Sequence, residues 1–539
     1  MNGAGLLVKS LEYEGVTEIF GYPGVSICPF FDVLKDSKIH PVLVRHEVNA
    51  AHEANGYARI SGKVGVCVSS SGPGATNLIT GIATAFADSI PLVCITGQVK
   101  SEHIGSDLFQ EADIVGACES FVKYSYLVKD ASLIPQIVKE AFYIASTGRK
   151  GPVLIDVPVD VLLADGFEFK FHEEVNIRTY KPTVKGHAVQ IKKVISALNE
   201  SQRPILMLGG GVKLSNAEEE VLSFSSKYNI PFVTTLMGLG LGKYDNPLYI
   251  GMVGNNGSKA ANKAVNESDC LIVVGARVAD RAVKQPDLIT KDKTLIHIDI
   301  DPAEIGKNAG PNIPIVGDAK EVFKDLNNFN EKFDFSYWSG QLLAYGQTRG
   351  KDKESTNLFA DPKLFVKILT NNLGEESVLV TDVGQNQIYA CSNFVSKGAS
   401  FVTSGGFGCM GFSLPASLGC KKANPDKRVV SLNGDGAFQM SMCELSTVKQ
   451  ENLDIKIVIF NNSSLGMIKE YQHLKYNNNY TFYELNDYPS FELIAKAYDI
   501  GYLKCSTNDD IEDSVEALLS SKGTTILELI VDKDAFTSK

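Results

Sequence analysis

The strongest constraint on the fold is a rhythm of short apolar runs separated by helical patterns. Val64–Val68, Pro91–Thr96, Val153–Val157, Ile205–Leu208, Leu271–Val274, Leu295–Ile300, Val378–Val380, Val429–Leu432 and Ile455–Phe460 are each of strand length. A strand covered on both faces reads as an apolar run, so the rhythm predicts parallel sheets with helices on either side. At 539 residues the chain is too long for one hydrophobic core. Two stretches, Ala164 to Lys185 and Asn327 to Lys363, are polar and irregular and read as linkers; the second holds the only tryptophan, Trp338. The reading is an α/β protein of three doubly wound parallel-sheet domains: residues 1–165, 186–330 and 360–539.

Composition removes several classes of function. With 44% apolar and 21% charged residues the chain reads as an ordinary globular protein. A net charge of −11 argues against nucleic acid or an anionic membrane as general partner, though it permits an anionic substrate in a locally positive pocket. No apolar run reaches the ~18 residues of a membrane span. The first residues, MNGAGLLVKSLEYEGV, read as an amphipathic helix and not as a secretory leader. Ten scattered cysteines without a C-x-x-C pair read as reduced core residues of a cytoplasmic protein. His46-Glu47 begins like a zinc helix, but position 50 is Ala where a second His is needed, and His46 and His52 fall on different helix faces.

The most informative segment runs from Val429 to Met467. A strand ends in Asn433-Gly434-Asp435-Gly436, a helical pattern follows to about Gln450, and a second strand ends in Asn461-Asn462. Ligands of open parallel sheets bind at the carboxyl ends of strands, so Asp435 and Asn462 are expected to face one crevice. One carboxylate plus amide or carbonyl oxygens suits magnesium, with phosphate completing the shell. Gly434 and Gly436 would let the backbone approach a diphosphate. Taken singly, Gly-Asp-Gly is as readily a turn, and Asn-Asn a loop. The first domain adds Arg45-His46-Glu47, where a strand from Pro41 meets an alanine-rich helix. A carboxylate there suits proton exchange if desolvated, and is otherwise an ordinary helix-start residue.

The spaced pair Gly-Asp-Gly and Asn-Asn resembles the signature of thiamine diphosphate-dependent enzymes. The loops Phe20-Gly21-Tyr22-Pro23-Gly24 and Ser70-Ser71-Gly72-Pro73-Gly74-Ala75-Thr76-Asn77, with Leu108 to Gly116 and Ala145 to Asp156, narrow the resemblance to the acetolactate synthase (acetohydroxyacid synthase) family. It implies pyrimidine-binding, central and diphosphate-binding domains in that order. It also implies that Asp435, Asn462 and the carbonyl of Ser464 hold Mg2+ on thiamine diphosphate, and that Glu47 hydrogen-bonds the aminopyrimidine and promotes loss of the C2 proton. Phe109 and Gln110 would stand beside the reacting centre, Met410 would wedge the cofactor into its bent shape, and Arg281 would point at the substrate carboxylate. Further cofactor contacts fall on Tyr22, Pro23, Ser71, Pro73, Asn77, Val383, Gly384, Gln385, Asn386, Gly408, Gly434, Gly436, Ala437, Leu465, Gly466 and Met467.

In the same family FAD contacts would fall on Arg149, Gly209, Gly210, Gly211, Gly275, Arg277, Asp299, Ile300 and Asp318. By residues alone, Gly209–Gly211 is a strand-to-helix turn, the arginines could be salt bridges between loops, and Met410 could be core filling. The implied activity decarboxylates pyruvate and passes a two-carbon unit to a second 2-ketoacid. The implied assembly is a homodimer or a dimer of dimers, since Glu47 and Asp435 of one site come from different subunits in this family, with a small regulatory subunit as a further partner. Alternatives are a different 2-ketoacid decarboxylase or carboligase, a pyruvate oxidase, and a silent homologue with a regulatory role. Departures from the family pattern are Val25 for glycine, Asn386 for histidine, Val159 for lysine, Tyr471 for tryptophan, and no histidine in Gly251 to Gly257. They cluster around substrate and not around the metal.

Overall fold

The computed structural model describes residues 1–537 except 172, 284, 286–288, 348–357 and 488. Among the described residues, eighteen strands form three six-stranded sheets. The first holds β1 (Glu18–Gly21), β2 (His40–Leu43), β3 (Gly65–Ser69), β4 (Leu92–Gln98), β5 (Tyr124–Leu127) and β6 (Pro152–Pro158), in the order β2-β1-β3-β4-β6-β5. The second holds β7 (Pro204–Leu208), β8 (Phe232–Thr234), β9 (Tyr249–Met252), β10 (Cys270–Val274), β11 (Thr294–Asp299) and β12 (Ile313–Val316), in the order β12-β11-β10-β7-β8-β9. The third holds β13 (Ser377–Thr381), β14 (Ser400–Thr403), β15 (Arg428–Gly434), β16 (Ile455–Asn461), β17 (Gly501–Cys505) and β18 (Thr525–Ile530), in the order β14-β13-β15-β16-β18-β17. The α/β fold with parallel sheets is therefore as the apolar rhythm implied.

Counted from its own first strand, the third sheet has the order 2-1-3-4-6-5, which is also the order of the first sheet. The second, counted the same way, reads 6-5-4-1-2-3, the dinucleotide-binding arrangement with its switch point between β7 and β10. Alternation along its central strands shows why they are apolar throughout. Leu206, Leu208, Ile272 and Val274 face one core cluster, while Ile205, Met207, Leu271 and Val273 face another. Both faces are dry, so each position needs an apolar side chain.

The chain divides into two compact units. One comprises Met1–Lys181, Val378–Gln387 and Val402–Lys539; the other comprises Pro182–Ser377 and Ile388–Phe401. The first unit thus carries the first sheet and most of the third. Its two halves are joined where helix Glu47–Ser61 packs on helix Ser413–Ala423. The approach is backbone to backbone: a Cβ on Gly56 would lie 2.0 Å from the Ala416 carbonyl oxygen, and one on Gly419 would lie 1.8 Å from that of Glu53. Arg59 adds an ion pair to Asp88 at 2.7 Å, and Asp88 accepts the Gly406 N–H at 2.7 Å.

Two stretches differ from the expectation. The second expected linker contains a helix, Ser336–Gln347, because Trp338 and Leu342 bury themselves against Ala261, Ala264 and Val265. Residues 348–357 of that linker lie outside the described ones. The helical pattern after Asp435 is broken: helix Asp435–Ser441 gives way to a 3₁₀ turn, Met442–Glu444, before helix Leu445–Gln450. No described helix is long and apolar enough to cross a membrane.

A methyl group at the helix crossing has no room. Gly419→Ala is expected to destabilise the first unit by about 3 kcal/mol, through overpacking against main chain that cannot yield. Urea unfolding measures this, and a change well under 1 kcal/mol would mean that the helices separate easily.

Candidate functional site

Loops of the first unit gather at the carboxyl ends of the first sheet's strands. Glu47 opens its helix just after β2, and His46 caps that helix by accepting the Val48 N–H at 3.3 Å. Half-buried Glu47 accepts a hydrogen bond from Asn77 Nδ2 at 2.9 Å, and its other oxygen lies 3.4 Å from where a Gly74 Cβ would stand. The Tyr22-Pro23-Gly24 and Ser70-Ser71 loops interlock through Ser26, whose hydroxyl meets Ser70 Oγ at 3.0 Å and accepts the Ser71 N–H at 2.9 Å. Gly72, at φ 58°, presses on Gln110: a Cβ there would lie 2.8 Å from the Gln110 Cα. Gln110 itself has φ 58°, a conformation that costs a non-glycine residue energy and recurs at functional loops. Phe109 beside it is 87% exposed.

A network not foreseen from the sequence holds that loop. Gln98 Nε2 donates to the Ala112 carbonyl at 2.8 Å and to Asp156 Oδ2 at 2.9 Å, while Thr96 donates to Asp156 Oδ1 at 2.7 Å. Burial pushes the Asp156 carboxyl up to about 7, against the pull of those two hydrogen bonds.

The third sheet presents the second cluster. Asp435 follows β15 directly; its Oδ1 accepts the Gly436 N–H at 2.8 Å, while its buried Oδ2 has no hydrogen-bond partner. The Ser464 hydroxyl is likewise buried without a partner. Burial raises the Asp435 carboxyl to about 6, a cost that a cation would remove. Asn462 donates to Gln385 Oε1 at 3.1 Å, and its own side-chain oxygen accepts the Ser464 N–H at 3.1 Å. Ser463 between them has φ 51°. Asn461 sets this turn: it accepts the Ser463 N–H at 3.2 Å and donates to Glu528 at 2.6 Å. An orphaned carboxylate oxygen with amide and carbonyl groups beside it is a donor set that suits magnesium.

Asn386 is buried and donates to the Asp382 carbonyl at 2.8 Å, and Gly384 and Gly434 stand beside its side-chain oxygen. Asp382, unassigned by the sequence, accepts N–H groups from Val383 at 2.8 Å, Gly411 at 3.0 Å and Ser413 at 2.8 Å. It thereby anchors the loop carrying Gly408 and Met410. The Met410 methyl lies 3.9 Å from where a Gly436 Cβ would stand, and Leu465 and Leu485 crowd the same point at 3.0 Å and 3.1 Å. Gly466 abuts Gln385 and Asn462, where no side chain would fit. Val383, Ala437 and Met467 share these loops. The signal for Asp382 was an acid at a strand's carboxyl end.

In the second unit, Gly209–Gly211 after β7 meet Gly275 after β10 main chain to main chain. The Gly211 N–H donates to the Gly275 carbonyl at 2.9 Å, and a Cβ on Gly209 would lie 2.2 Å from that oxygen. These glycines let the two strand-end turns pack on one another at the switch point, where open α/β sheets bind ligands. Asp299 ends β11 and accepts the Asp301 N–H at 2.9 Å, with Ile300 between them. Asp318 caps helix Ala319–Asn327 and accepts from Ser215 at 2.9 Å. Arg277 follows Gly275 on the same loop, and the Arg281 side chain is exposed. Arg149 belongs to the first unit, bonded to Ser89 at 3.0 Å.

The fold and these loops define the class. Residues 1–117 match the family described as thiamine pyrophosphate enzyme, N-terminal TPP binding domain; 191–326 match its central domain; and 382–529 match its C-terminal TPP binding domain. Among full-length relatives is a probable acetolactate synthase large subunit of Methanocaldococcus jannaschii, 42% identical, with 99% of this chain and 92% of the relative covered. The acetolactate synthase large subunit of Haemophilus influenzae is 39% identical, covering 99% and 95%, and isozyme 2 of Escherichia coli is 39% identical, covering 99% and 96%. The chain belongs to the acetolactate synthase large-subunit family of thiamine diphosphate enzymes.

The buried Asp156 gives a pH prediction with a definite sign. Its folded-state value stands above its unfolded one, so its stabilising contribution is full below about 4 and is lost as pH rises through about 7. Asp156→Asn should flatten the apoprotein's stability between pH 5 and 8, by roughly 1–3 kcal/mol. Parallel pH profiles of denaturation for both proteins would contradict the assignment.

Proposed function

We propose that the chain decarboxylates pyruvate and joins the two-carbon unit to a second 2-ketoacid, giving 2-acetolactate, or acetohydroxybutyrate from 2-ketobutyrate. This is a step of branched-chain amino-acid biosynthesis. The observation that carries this reading is the pairing, in one family-matched chain, of a Glu47 held by Asn77 with an Asp435 whose buried Oδ2 lacks a partner. Bound thiamine diphosphate supplies the electron sink for decarboxylation and carbon–carbon bond formation.

The chain's residues do the rest. Asp435, Asn462 and the Ser464 carbonyl would hold Mg2+, and Gly434, Gly436, Ala437, Gly384, Gln385 and Asn386 would hold the diphosphate beside it. Met410, anchored through Asp382, would set the bend of the cofactor, with Gly408, Val383, Leu465, Gly466 and Met467 lining the same loops. Glu47 would take a hydrogen bond at the aminopyrimidine and move the proton that activates C2, while Tyr22, Pro23, Ser71, Pro73 and Asn77 shape its surroundings. Phe109 and Gln110 would stand over the reacting carbon and Arg281 would bind the substrate carboxylate, its planar fork suiting a carboxylate. FAD would sit on Gly209, Gly210, Gly211, Gly275, Arg277, Asp299, Ile300 and Asp318, with Arg149, as a structural group. The crevice between β7 and β10 supports this.

A homodimer, or a dimer of dimers, is part of the proposal. Val25 at 82%, Phe109 at 87% and Phe482 at 96% exposure are apolar surfaces that a second copy would cover. A small regulatory subunit and a cytoplasmic location complete it, as does the division into domains 1–165, 186–330 and 360–539.

Incubation with pyruvate, thiamine diphosphate, magnesium and FAD should yield acetolactate. Glu47→Gln should lower turnover about 10²–10⁴-fold, the range expected on losing an acid–base group, while cofactor and metal still bind. Acetaldehyde or oxygen-dependent products from the unaltered enzyme, or near-normal turnover of the variant, would overturn the reading.

A further inference from the structure

One pair of buried acids lies outside the residues assigned above. Glu53 is fully buried in helix Glu47–Ser61, and neither of its oxygens meets an N–H or O–H donor. Asn49, one turn earlier on the same helix, bonds the equally buried carboxyl of Glu444, which the turn Met442–Glu444 brings beside Glu53 from the C-terminal half of the same unit. Glu444 is supplied with donors. Its Oε1 accepts the Arg45 N–H at 2.8 Å and Asn49 Nδ2 at 2.8 Å, and its Oε2 accepts the Thr447 hydroxyl at 2.5 Å.

Three donors already occupy the oxygens of Glu444, and two carboxyls side by side at full burial cannot both be ionised. Burial and Glu444 both push Glu53 well above the ordinary range; Glu451 adds to this and Arg45 opposes it. Glu451 is itself engaged by His40 at 2.8 Å and by Lys422 at 3.1 Å, and Lys422 also reaches Glu18 at 3.3 Å. Lys422 is thus turned toward Glu451 and Glu18, and Arg59 toward Asp88.

The position of Glu444's partners gives the pair a consequence. Arg45 lies two residues before Glu47 and Asn49 two residues after it, so both flanks of Glu47 hang on one carboxylate of the opposite half. We propose that Glu53 keeps a proton which it donates to Glu444, and that this shared-proton pair positions Glu47 by fixing its two flanks. Glu53 and Glu444 are positioning residues, and the inference rests on the role proposed for Glu47 above. Losing the proton would set two negative charges in contact and drive Glu444 from the Arg45 N–H and the Asn49 amide, loosening the start of the helix.

Two measurements on the full chain test this. An infrared difference spectrum of the apoprotein at neutral pH, unaltered chain minus Glu53→Gln, should show the C=O stretch of a protonated carboxyl beyond the Asp156 contribution common to both. In steady state, Glu53→Leu removes the donor and should lower kcat about tenfold with little change in KM for pyruvate. Glu53→Gln restores an N–H donor toward Glu444 and should recover most of that loss. Having no proton to lose, it should also hold its activity further into the alkaline range than the unaltered enzyme. A difference spectrum without that band would overturn the shared proton, and superimposable alkaline profiles would overturn the positioning. The infrared arm reads the pair without cofactor, so a failure of Glu47's proposed role stays separable from a failure of this one.

Discussion

The crossing of helix Glu47–Ser61 and helix Ser413–Ala423 is the contact on which the first unit depends. Gly56 and Gly419 let the main chains of the two helices touch, which holds the helices against each other. One begins at Glu47. The other follows the loop of Gly408 and Met410, which Asp382 ties to β13 through the N–H groups of Gly411 and Ser413. The same crossing is latched at one side by Arg59, Asp88 and the Gly405-Gly406 turn, and at the other by Glu53, Glu444 and Asn49. The loops that carry the proposed cofactor residues of both halves are thus appended to one close-packed joint.

Buried carboxyls recur at these loops. Asp382 and Asp435 stand just past the carboxyl end of a strand and Asp156 lies within the last residues of β6, and burial pushes each above the ordinary range. They differ in what answers the burial. Asp156 and Asp382 are surrounded by fixed donors and act as structural anchors. Asp435 keeps one oxygen unanswered, as does the Ser464 hydroxyl nearby. That difference supports the magnesium role proposed for Asp435.

Much of this was legible in the sequence, for physical reasons. Doubly covered parallel strands must be apolar throughout, so β3, β4, β6, β7, β10, β11, β13, β15 and β16 stand out. Shorter or more polar strands such as β1, β5 and β17 do not, because neighbours and not composition define them. Gly-Asp-Gly and Asn-Asn carried the metal-site expectation because strand ends in one sheet converge. The helix around Trp338 was hidden by polar surroundings; only its packing on Ala261 and Ala264 reveals it. The linked roles of Gln98 and Asp156, of Asn461 and Glu528, and of Glu53 and Glu444 were not legible. Their partners lie 58, 67 and about 400 residues apart, and nothing in sequence joins them.

The central claim is that loops of the first and third sheets together make a metal-dependent thiamine diphosphate site. Calorimetric titration of the purified chain with thiamine diphosphate, with and without magnesium and repeated on Asp435→Ala, tests it most directly. The account predicts one binding event per chain that needs magnesium and vanishes in the variant. Binding that is indifferent to magnesium and to Asp435, or no binding at all, would contradict it.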